Sequence, residues 1–172
     1  MNKLLRYFLV GLIFLTGFLI GIIIKLNYEK HTFKQYEWSN PPVILNCYGS
    51  DMPEVAIIKA INYWTIRDHH IEGYIHSPPS VLCESKLPLF GFIILRKANS
   101  QDLNLETLAY TKRMTFGSRM KSATIYFREG TQGMPLLSEH EIGHALGYAH
   151  TDIVGHIMYP FYDGMGEDFW IP

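Results

Sequence analysis

The stretch "LSEHEIGHALGYAH", Leu137–His150, gathers three histidines and a glutamate at fixed offsets. His140 and His144 are four residues apart. On a helix they share one face, where both rings can reach one ion. Glu141 follows the first histidine and points beside such an ion, placed to meet a bound water rather than the metal. Gly147 comes three residues after His144. A glycine adopts the left-handed conformation that ends a helix and turns the chain, so His150 can swing back as a third ligand.

Three protein ligands leave a fourth position open to water, as in catalytic zinc sites. Structural zinc sites close all four positions with cysteine and histidine, and no cysteine lies near this stretch. The 8 histidines of the chain raise the chance rate of such a pattern. Its own residue frequencies still give HExxHxxGxxH by accident only on the order of 10⁻⁴.

Eight residues after His150 comes Met158, in "HTDIVGHIMYPFY". The motif followed by a methionine turn resembles the metzincin zinc peptidases, and within them the matrixins, the matrix-metalloproteinase-like group. Leu146-Gly147, Thr151-Asp152 and Met158-Tyr159-Pro160 carry that resemblance, and "LAYT", Leu108–Thr111, is similar to the matrixin edge strand. It spans about residues 41–163 and is most specific over 137–162. The resemblance implies one catalytic Zn²⁺ on His140, His144 and His150, Glu141 as general base and Met158 as the apolar floor under the metal. It also implies that Leu108, Ala109 and Tyr110 pair with a peptide or protein substrate. Pro160, Phe161 and Tyr162 would wall the pocket for the side chain after the cut. Two family features are missing: a PRCGxPD-like latency segment and the insertion that carries a second zinc. Asp68, His69, His70 and His76 cluster in sequence but read as surface groups at a helix end. His156 reads as a neutral neighbour of the turn. Nothing signals calcium.

These residues must be held by a scaffold. "VILNCY" (43–48), "IEGYIH" (71–76), "LFGFIILR" (89–96), "TLAYTKRM" (107–114) and "SATIYFRE" (122–129) read as strands. Between the first two, residues 53–68 carry Val55, Ile58, Ala60, Ile61, Trp64 and Thr65 at helical spacing, so a long helix packs on the sheet. Pro135 opens the helix that bears the motif. This order predicts an α/β (α+β) fold: a metzincin-like mixed twisted sheet with a packing helix and an active-site helix. The short stretch to the chain's end predicts a short or missing C-terminal helix.

The beginning of the chain reads differently. Residues 7–24, "YFLVGLIFLTGFLIGIII", contain no charge and reach the lower limit of a membrane-spanning helix. The expected organisation is a short tail (1–6), an anchor (7–26), a stem (27–41) and a catalytic domain (42–172). Lys3 and Arg6 favour an inside amino terminus, with the catalytic domain outside the cytoplasm, or secreted if the segment is cleaved. Gly17 and Gly21 form a GxxxG pair, a weak helix-dimer signal. Cys47 and Cys83 either pair in an oxidising compartment or serve as two small buried hydrophobes. A net charge of -1 gives no basic field for nucleic acid. Three functions fit: a zinc-dependent endopeptidase, a membrane-anchored zinc-binding module without peptidase activity, and a zinc hydrolase of cell-wall peptides. The retained Glu141 favours an enzyme over the inert module.

Overall fold

The computed structural model describes residues 15–21, 33–99, 101, 103–104 and 106–170. Residues 15–21 are helical. The rest of the expected membrane anchor lies outside the described residues. Among the described residues, no helix is long and apolar enough to cross a membrane.

Lys34–Trp170 forms one unit, built on a sheet of strands β1 (Glu37–Trp38), β2 (Val43–Asn46), β3 (Gly73–Ile75), β4 (Phe92–Lys97), β5 (Ala109–Phe116) and β6 (Arg119–Phe127). The path is β1-β6-β4-β2-β3, and β5 also pairs with β6. All pairings are parallel except β5–β6. The sheet is thus mixed, as expected, with one antiparallel strand. The central strands read as apolar runs because a parallel sheet is covered on both faces: Ile44, Leu45, Ile93, Ile94 and Leu95 are all buried.

Helix α1 (Glu54–Thr65) connects β2 to β3, and helix α2 (Ser80–Glu84) follows β3. Helix α3 (Leu137–Ala145) carries the motif and packs against α1. The buried face of α1 is Ile57, Ala60 and Trp64, spaced i, i+3, i+7. Ala60 and Trp64 are buried as expected, but Ile57 takes the place of Val55 and Ile58, which are exposed, Val55 at 80%. The strand limits also shift: β6 begins at Arg119, and β4 starts at Phe92, after the turn at Gly91.

Residues 34–38, expected in the stem, make part of this unit. Glu37–Trp38 pairs with Arg119–Met120, and the Trp38 indole N–H donates to the Ala145 carbonyl at the end of α3 (2.8 Å). Cys47 and Cys83 form a disulfide, which closes the choice left by the sequence and ties the chain after β2 to α2.

Candidate active site

Helix α3 presents its first two histidines one turn apart, and the chain then leaves the helix at Gly147, whose φ is 105°. A side chain there would also run into the Tyr36 carbonyl. Gln35 N–H donates to the Gly147 carbonyl (2.8 Å), so the segment before β1 straps down the turn that brings His150 back.

The result is a converged triad. His150 Nε2 lies 3.0 Å from His144 Nε2 and 3.3 Å from His140 Nε2. His140 Nδ1 donates to the Ile157 carbonyl (2.7 Å) and His144 Nδ1 to the Tyr148 carbonyl (2.9 Å). With the protons of those rings on Nδ1, their Nε2 atoms offer bare lone pairs to one another. Such an arrangement calls for a cation between them. Two nitrogens at about 2.05 Å from a tetrahedral zinc stand about 3.3 Å apart, so the spacing fits Zn²⁺. The carbonyl partners fix each ring's tautomer and orientation. Burial keeps the rings neutral, the form that ligates. It brings His140 down to about 4 and His144 well below the usual histidine range; His150 is lowered by burial and then by the nearby Arg113 cation.

Glu141 is 3% exposed. Burial pushes its carboxyl up to about 7, against the pull of a hydrogen bond from Thr111. Thr111 Oγ1 donates to Glu141 Oε2 at 2.6 Å. Thr111 lies on β5, outside the residues that the sequence marks as site residues. Its signal is the two-residue alternation of a strand, which sets Ala109, Thr111 and Arg113 on one face.

Met158 is fully buried. Its position explains Gly143: a methyl group there would strike Met158 Sδ and come within 2.6 Å of Trp64 Cζ2. The methionine therefore sits against the helix, close under the ligands. His156 is more than a neutral neighbour. It is fully buried, and its Nδ1 accepts from Met158 N–H (3.0 Å). That leaves the proton on Nε2, facing the Trp170 carbonyl at 3.1 Å. His156 thus ties the methionine turn to the end of the described chain.

A cleft of about 630 Å³ runs over the triad. Leu108, Ala109, Tyr110, Pro160, Phe161 and Tyr162 all line it, together with His140, Glu141, His144 and His150. Gln35, Glu106 and Arg113 line it too and were not anticipated. Among the described residues, the triad is the one group of three or more potential ligands that comes together. The histidines after α1 are not a second centre. His69 is half-buried: its Nε2 lies 2.8 Å from the Tyr148 hydroxyl, against an aromatic cluster. His70 faces Glu72 and His76 faces Tyr74. After α3, the described residues contain one 3₁₀ turn (Tyr162–Gly164) and no α-helix.

No curated protein matches the chain. The family profile described as matrixin matches residues 59–170, more than half of the chain. With three histidines converged in zinc geometry on the motif helix and the turn after it, and the profile running from within the packing helix through the methionine turn, the chain belongs to the matrixin family of zinc metallopeptidases.

Proposed function

We propose that this protein is a zinc-dependent endopeptidase that hydrolyses extended peptides, with Glu141 as general base. The observation that supports this best is the buried Glu141 carboxylate between the triad and β5, a strand paired only with β6 among the described strands. An unpaired edge offers backbone groups to an extended peptide. Zinc on His140, His144 and His150 supplies a Lewis acid that polarises a carbonyl and acidifies water. Glu141 takes the proton of the attacking water and returns it to the leaving amine. Burial raises the carboxyl from its ordinary range, which favours return of the proton to the leaving amine. Leu108, Ala109 and Tyr110 align the substrate backbone. Pro160, Phe161 and Tyr162 bound the space for the side chain after the cut.

Glu141→Ala retains one zinc per chain by elemental analysis and loses casein hydrolysis by at least about 10²-fold. His144→Ala loses both zinc and activity. Casein cleavage by Glu141→Ala at the wild-type rate overturns the assignment. A wild type that holds zinc and cuts no peptide points to the inert module. Cell-wall peptides would differ from other substrates only in what enters the cleft.

We further propose that residues 7–26 anchor the enzyme with its catalytic unit outside the cytoplasm. The uncharged run and the Cys47–Cys83 disulfide support this, because structural disulfides persist in oxidising compartments. Release of the full chain from membranes by alkaline carbonate overturns the anchor.

A further inference from the structure

Successive side chains of β5 point to opposite faces of the sheet. Tyr110 stacks on Tyr126 (4.9 Å between ring centres), and Lys112 lies over both rings. Thr111 reaches Glu141, and Arg113, two residues on, lines the same cleft. The Arg113 guanidinium sits 5.2 Å from the centre of the Tyr36 ring and 3.5 Å from the Tyr148 carbonyl, which already accepts from His144. Contacts that long leave its hydrogen-bonding capacity largely unspent. Among the described residues, no carboxylate lies within ion-pair distance of it.

Resting on the endopeptidase reading, we infer that Arg113 is a specificity determinant that selects substrates with an acidic side chain on the amino-terminal side of the cleaved bond. An added strand pairs more stably in the antiparallel sense. A substrate antiparallel to β5 crosses Arg113 before it reaches Thr111 and Glu141. Side chains directly opposite on adjacent strands point to the same face, so the residue facing Arg113 points at the guanidinium. A carboxylate matches that planar fork of donors. The other end of the cleft carries the opposite charge: Glu106, ahead of β5, lines it there and disfavours an acidic residue after the cut. The cleft therefore has an electrical direction that agrees with the direction of pairing.

The test uses the detergent-solubilised full chain and matched fluorogenic peptides that carry Glu or Lys at one position before the bond, or at one position after it. In the wild type, kcat/KM is about fivefold higher for Glu than for Lys before the bond, the scale of one partly solvated ion pair. The ratio falls to about one in Arg113→Gln, inverts in Arg113→Glu and largely survives in Arg113→Lys. Because a ratio within one preparation is read, a less stable variant still reports, and equal zinc content shows the triad intact. A wild-type ratio of one, an unchanged ratio in Arg113→Gln, or a Glu preference only after the bond each overturns the inference while leaving the peptidase standing. A zinc-loaded wild type that cuts none of the peptides overturns the peptidase reading and this inference with it.

Discussion

At the scale of single residues, the site depends on which oxygen of Glu141 is free. Thr111 Oγ1 holds Oε2 at 2.6 Å, which leaves Oε1 for the proton transfer proposed for Glu141. A carboxylate that rotates out of line loses proton-transfer geometry without losing substrate contacts. Thr111→Val keeps the shape and removes the donor, so kcat falls about tenfold while KM stays within about twofold, as for loss of one hydrogen bond to a charged group. Thr111→Ser restores kcat, and equal KM and kcat losses in both variants would sink the positioning role. The metal ligands, Glu141 and Met158 are legible in the sequence because helix and turn geometry tie them to fixed spacings. Thr111 and Arg113 come from a strand some 30 residues earlier, and only tertiary packing gives them a partner. His156 has the same character, since nothing local says that its ring will bridge Met158 N–H and the Trp170 carbonyl.

At the scale of elements, α3 is clamped from both sides. Trp64 on α1 donates its indole N–H to the Glu139 carbonyl (2.7 Å), and Met158 closes on Gly143 from beneath. The close approach exists because position 143 has no side chain. Gly143→Ala adds a methyl group where no room exists, and overpacking of this kind costs about 1–3 kcal/mol. The gain in helix propensity from glycine to alanine, about 1 kcal/mol, offsets only part of it. The expected result is a Tm lowered by several degrees together with weaker zinc retention, read by calorimetry and chelator competition; an unchanged Tm would mean the clamp is soft. The end of α3 was legible at Gly147, where a positive φ needs glycine. Its beginning was not: Leu136 adopts a left-handed conformation (φ 63°) that only the surrounding fold can impose on a leucine. The buried face of α1 was read only in part, Ala60 and Trp64 but not Ile57, for a related reason. With Val55, Ile57, Ile58 and Ile61 all apolar, the periodicity admits two faces that share Ala60 and Trp64, and packing chooses the one that adds Ile57.

At the scale of the whole unit, α1, the turn after α3 and the closing segment meet in one aromatic cluster. Trp64 stacks on Tyr148 (5.5 Å, 13° between planes), and Phe169 packs edge-on against Trp64 (5.0 Å). His69 is embedded among them, hydrogen-bonded to the Tyr148 hydroxyl. Burial, reinforced by Lys34, brings its imidazole down to about 4. Such a ring binds fewer protons in the folded chain than in the unfolded one, where its pKa is about 6.5. Its contribution to stability is therefore whole above pH 6.5 and is lost as pH falls toward 4. The unfolded chain then gains a proton that the cluster cannot accept without placing a cation between aromatic rings and desolvating it. His140 and His144 are lowered for the same reason and tilt the curve the same way. Glu141, raised to about 7, tilts it the opposite way between its unfolded pKa and 7. All three, and the release of zinc in acid, act equally in a protein altered only at position 69. The difference in slope between wild type and His69→Phe thus isolates one ring. Denaturant titrations from pH 7 to pH 4 show the wild type losing about 1 kcal/mol more than the variant, after allowing for the solvent on the open side of His69. Parallel stability curves would place His69 outside the titrating groups that hold the fold together.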